Sequence, residues 1–197
     1  MWISILVTNT MKAVTQLETL AAYKHLINAG KVKEIGASNF PLAVLRDAIE
    51  LAKTEDLPKY NYVQPQYNLM ERDGFEGDYQ RFCIEENLEV ISYFTLASGF
   101  LTGKYQSVEE TSGKARERFV KKYFTAKGNR VLNTLTTLSK KYNCSEAAIA
   151  IAWTIAQPGI TAPIVSATET AHLEAFDQAL KLDLDQEAID LLKDASA

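Results

Sequence analysis

Short apolar runs begin near Val32, Tyr62 and Glu89, roughly 30 residues apart, and a helical pattern fills each interval. Strands separated by helices at that spacing imply a parallel sheet with right-handed crossovers, because the chain needs a helix to return to the same end of the sheet. Thr15 to Ala29 carries apolar residues at Leu17, Leu20, Ala21, Leu26 and Ile27, a helical period, and Gly30 is placed to stop it. Val32 to Ala37 then reads as a strand, and Pro41 suits the first turn of a helix reaching about Lys53. Tyr62 to Tyr67 and Glu89 to Tyr93 are the next strands, with a helix over about Gly77 to Asn87 between them. A long loop, Ala97 to Lys127, is rich in Lys, Arg, Glu and Gly, and loops of that length are usually functional or mobile.

Beyond it the sequence predicts helices over Asn129 to Tyr142 and over Ser145 to Gln157, the second capped by Ser145. A last strand (Thr161 to Val165), a crossover helix (Thr168 to Leu180) and a terminal helix capped by Asp185 (Asp185 to Lys193) complete the chain. No linker or low-complexity segment divides it, so residues 1–197 read as one α/β domain.

A length of 197 residues with 47% hydrophobic content suits one domain, yet is short for a complete eight-fold α/β barrel of about 250 residues. A net charge of -4 without a Lys/Arg run argues against nucleic acid or an anionic membrane as partner. The apolar start, MWISILVTNTMKAV, has no basic flank or cleavage site and is too short to span a bilayer. Cys83 and Cys144 lie far apart in or beside helical patterns, as free thiols in a reducing cytoplasm would.

Four segments each carry a strand and the polar residues at its end. GKVKEIGASNF spans Gly30 to Phe40, VQPQYNLMER spans Val63 to Arg72, ISYFTLASGFLTGKY spans Ile91 to Tyr105, and APIVSAT spans Ala162 to Thr168. Taken singly, each has a plain structural reading. Ser38 and Asn39 suit the cap of the next turn, Gln64 a loop hydrogen bond, and Tyr93 a core aromatic with a wet tip.

In this order, however, the four segments resemble the second half of an aldo-keto reductase, from about Thr15 to the C-terminus, with residues 1–14 divergent. The resemblance implies a parallel (β/α) barrel of the TIM type, here a partial barrel of about four to five βα units. It also implies NADP (or NAD) as cofactor and a small-molecule carbonyl compound as substrate. By this likeness Ser38, Asn39 and Gln64 match residues that hydrogen-bond the nicotinamide carboxamide, and Tyr93 matches the aromatic on which the ring stacks. Leu96, Ser98, Leu101, Gly103 and Lys104 match the loop over the pyrophosphate, where a glycine lets backbone N–H groups approach phosphate and a lysine adds charge. At the adenosine end the family carries a Lys or Arg, then an Arg, a Glu and an Asn. Here the register reads Ser166, Ala167, Thr168, then His172, Ala175 and Phe176, so Ser166 and His172 are the candidates at a weakened site.

The family reduces carbonyls with an Asp, Tyr, Lys and His set, the tyrosine acting as acid with its pKa lowered by the lysine. All four come from segments upstream of the helix near Thr15. The histidine's place is occupied by MWISILVTNT, and His25 is mid-helix. No GxGxxG, GxSxG or metal-ligand cluster replaces the set. The expectation is a family oxidoreductase that is inactive alone; the alternatives are a non-catalytic dinucleotide-binding or interaction module and a truncated gene product. MWISILV, apolar and β-prone, is expected to add a strand beside Val32 to Ala37, and open sheet edges suggest a homodimer.

Overall fold

The computed structural model describes residues 4–8, 14–114 and 116–197. β1 (Ser4–Thr8), β2 (Glu34–Ser38), β3 (Tyr62–Gln64) and β4 (Glu89–Ser92) run parallel, each paired with the next in chain order. The added N-terminal strand is therefore present, with Ser4 opposite Glu34 and Thr8 opposite Ser38; Met1, Trp2 and Ile3 lie outside the described residues. Ile35 to Ser38 of β2 are all buried, the pattern of a strand covered on both faces.

The chain folds as two units, one with residues up to Pro65 and Glu76–Ile91, the other with Gln66–Phe75 and Ser92–Ala197. In the first, α1 (Gln16–Asn28) opens on a capping box: Thr15 accepts from the Glu18 N–H and the Glu18 carboxylate accepts from the Thr15 N–H. α2 (Leu42–Thr54) follows Pro41 and buries Leu45, Ala48, Ile49 and Ala52, one helical face. α3 (Asp78–Glu85) buries Phe82 and Cys83. Burial pushes the Cys83 thiol up to about 12, so it is inert packing material. His25 is exposed on α1.

In the second unit the long loop is not featureless. It contains 3-10 turns at Ala97–Thr102, Glu109–Thr111 and Lys121–Tyr123 and one turn of α-helix, α4 (Glu117–Val120). α5 (Ala126–Tyr142) starts three residues before the predicted Asn129, because Thr125 takes the cap and accepts from the Gly128 N–H at 3.1 Å. α6 (Glu146–Ile155), capped by Ser145, is buried from Ala147 to Thr154 on every face and forms the centre of this unit. Its Trp153 is fully buried and stacks on Tyr67, ring centroids 5.6 Å apart. β5 (Ile160–Pro163) is followed by Ile164, whose N–H donates to the Ser92 carbonyl at 2.7 Å. α7 (Ala171–Lys181) is tied to the cap of α6, since Gln178 Oε1 accepts from both the N–H and the hydroxyl of Ser145. α8 (Gln186–Ala195) is capped by Asp185, and Cys144 is a half-buried free thiol. No helix among the described residues is long and apolar enough to cross a membrane.

Candidate functional site

The first group of predicted residues sits at the ends of β2 and β3. The parallel register sets Ser38 opposite Gln64, and the buried Ser38 hydroxyl lies 3.1 Å from the Gln64 carbonyl oxygen and 3.2 Å from Gln64 Oε1. The hydroxyl has one proton, so it donates to one of these acceptors at a time. Asn39 follows directly, exposed and in the left-handed region (φ 57°), a conformation that Asn tolerates better than most residues.

The second group lies after β4, in the other unit. Phe94, Ala97, Ser98 and Gly99 all have positive φ, at 57°, 47°, 59° and 98°. For a bulky residue such as Phe94 this conformation is strained, at a cost of about 1–3 kcal/mol, and it persists only where neighbours hold it. They do: the Phe94 carbonyl accepts from the Ala97 N–H at 2.7 Å and from Asn68 Nδ2 at 2.9 Å. Thr95 Oγ1 donates to the Ile164 carbonyl at 2.9 Å, tying this turn to the end of β5.

The bent turn walls a cavity of about 320 Å3, at the low end for small-molecule sites. Four predicted residues line it together: Tyr93, Leu96, Ser98 and Ser166. Lys104 reaches the same wall by folding back over Gly99, its Nζ 3.3 Å from where a Cβ on that glycine would stand. The remaining predicted residues lie elsewhere. Leu101 is fully buried beneath the turn, and Gly103 closes it in the left-handed conformation (φ 69°). His172 is exposed in the first turn of α7, and its Nδ1 accepts from the Thr168 N–H at 3.3 Å.

Among the lining residues that sequence reasoning missed are Phe94, Arg116 and Phe119. Tyr93 and Phe94 stand with ring centroids 5.0 Å apart, and Phe94 and Phe119 6.2 Å apart. Among the described residues, neither Arg116 nor Lys104 makes an ion pair. The cavity thus joins aromatic faces, hydroxyls and uncompensated cations, the donor set for a flat ring linked to an anion. No group of side chains that could hold a metal ion is present among the described residues.

The model of the aldo/keto reductase family matches residues 5–197. The chain belongs to that family. It is similar to the protein tas of Escherichia coli (strain K12), 27% identical over 184 residues that make up 92% of this chain and 53% of tas. It is also similar to the aldo-keto reductase YhdN of Bacillus subtilis (strain 168), 26% identical over 82% of this chain and 48% of YhdN. This aldo/keto reductase chain therefore spans about half the length of the curated relatives it matches. Among solved structures, the thermostable aldo-keto reductase Tm1743 superposes with a TM-score of 0.74 over 98% of this chain and 59% of that one, at 21% identity. That likeness supports the fold: α/β with parallel strands, part of a TIM-type barrel.

Proposed function

We propose that this chain carries the nicotinamide-dinucleotide half-site of an NAD(P)H-dependent aldo-keto reductase acting on aldehydes or ketones. The observation that carries this reading is the assembly of Tyr93, Leu96 and Ser98, from one short segment, with the distant Ser166 on one cavity, with Arg116 and Lys104 beside them. The residues present fit the cofactor. The aromatic face of Tyr93 suits a flat ring, and the Ser98 hydroxyl with the two cations suits phosphate oxygens. Bound there, the cofactor would supply hydride. Within the first unit, taken by itself, Ser38 and Gln64 are bonded to each other, a donor and acceptor pair of the kind a carboxamide takes. Arg116 provides a cation that the Ser166 to Phe176 segment lacks, although without a Lys or Arg there the adenosine end remains weak and a preference for NADP over NAD is not built in.

By the family likeness the acid tyrosine and the lysine that lowers its pKa belong to segments upstream of α1, and neither His25, exposed on α1, nor His172, engaged at the start of α7, lines the cavity. On this reading the chain taken alone binds the dinucleotide without protonating a carbonyl. Its free cysteines favour a reducing cytoplasm. A titration with NADPH, followed through quenching of tryptophan fluorescence, tests the half-site: saturation in the micromolar range is expected, and no binding by a folded chain would end the reading. Turnover of 4-nitrobenzaldehyde above a heat-killed control would overturn the inactivity.

A further inference from the structure

Glu71, in the turn after β3, holds the far end of the long loop. Its Oε1 accepts from Tyr123 Oη at 3.1 Å and pairs with Lys122 Nζ. Tyr123 is held in two other ways. Its ring packs on Phe100, centroids 5.5 Å apart, and its carbonyl oxygen sits only 1.9 Å from where a Cβ on Gly128 would be, a space that only glycine leaves open. The trio of tyrosine, lysine and carboxylate is not a replacement acid–base set. None of the three lines the cavity, the lysine is neutralised by Glu71, and burial with the Glu71 charge pushes the phenol up to about 12. Tyr123 is a standing donor.

Arg116 caps α4, and a 3-10 turn, Lys121–Tyr123, follows it without a break. The Val120 N–H donates to the Arg116 carbonyl at 3.1 Å, the Phe124 N–H donates to the Lys121 carbonyl at 3.3 Å, and Val120 is fully buried. Movement of Tyr123 is therefore transmitted to Arg116 and Phe119, which line the cavity. We propose that Glu71 is a positioning residue for the cofactor half-site: by clamping Lys122 and Tyr123 it sets the place of Arg116 and Phe119 on the cavity wall. The inference rests on the reading that this cavity takes a nicotinamide dinucleotide.

The test uses Glu71→Gln, Glu71→Asp, Arg116→Ala and the double variant Glu71→Gln/Arg116→Ala in the full chain. Trypsin cleavage at Lys114, Arg116 and Arg118, mapped by mass without cofactor, reads the loop; NADPH titration reads the half-site. Glu71→Gln is expected to speed loop cleavage about five-fold and weaken NADPH about five-fold, with most of both restored in Glu71→Asp. In the Arg116→Ala background it should weaken NADPH no further, since the loss runs through Arg116. Unchanged cleavage in Glu71→Gln, or an equal further loss of NADPH affinity beside Arg116→Ala, would overturn the proposal. A wild-type chain that binds no NADPH defeats the cofactor reading instead; the clamp is then decided by proteolysis alone, with faster cleavage upholding it and an unchanged rate removing it.

Discussion

At the ends of β2 and β3, Ser38 meets Gln64 through the register of two parallel strands, whereas after β4 the cavity wall is made of residues bent into the left-handed region and held by distant contacts. The first arrangement comes at little cost, since the sheet ladder that places these residues would form whatever their side chains were. The second depends on anchors spread around the wall: Asn68 under Phe94, Thr95 on Ile164, Gly128 under Tyr123, and Glu71 on Tyr123 and Lys122. Binding residues on a ladder fail singly, while those on a held loop fail together when an anchor is lost.

The largest expected effect tests that contrast directly. Gly128→Ala places a methyl against the Tyr123 carbonyl and 2.9 Å from Phe100 Cζ, and should cost about 3 kcal/mol in urea unfolding. Amide exchange at Ile35 and Val63 should stay as slow as in the wild type; a loss of protection there would erase the distinction between the two regions. Next comes Tyr93→Ala, which removes the ring face and should weaken NADPH about ten-fold by titration while leaving the melting temperature close to wild type. Ser38→Ala removes the hydroxyl donor beside the Gln64 oxygens and should cost about 1 kcal/mol in the same urea assay. A cost as large as that of Gly128→Ala would show that the strand ends also rely on a single anchor.

The smallest effect lies outside both regions. The carboxyl of Asp185 is lowered from 3.8 to about 2 by hydrogen bonds from Lys141, the Ala188 N–H and Tyr142. Because its folded value lies below its ordinary one, its contribution is fully present above pH 3.8 and is lost as pH falls through 2. The difference in melting temperature between wild type and Asp185→Asn should therefore be constant above pH 3.8 and vanish towards pH 2.

The fold was largely legible because its signals are local. Period and cap residues placed α1 at Thr15, α6 at Ser145 and α8 at Asp185, and the apolar, β-prone start marked β1. Strand ends ran long in the reading, to Tyr67 rather than Gln64, because apolar residues continue past the last ladder bond into packed loop. Tyr93, Leu96, Ser98 and Ser166, which share the cavity, were singled out by the family resemblance of the segments that carry them. Arg116 and Phe119 were not, since a cation and an aromatic in a loop of 31 residues (Ala97 to Lys127) reveal nothing about the direction they face until the loop's anchors are known. Glu71 and Tyr123 were equally hidden, because their contact spans 52 positions and leaves no periodic trace.

The crowded glycine at position 128 also bears on how such a gene can drift. Every glycine codon begins with two guanines, so any single-base change in those letters introduces a side chain or a stop. With Tyr123 O only 1.9 Å from the Cβ position, none of the new residues fits without shifting the loop's end. The tip around Arg116, exposed and without an ion pair among the described residues, is free of that restraint. Descendants of this gene should thus keep this glycine and the loop end packed on it while the tip around Arg116, and with it one wall of the cavity, is rewritten.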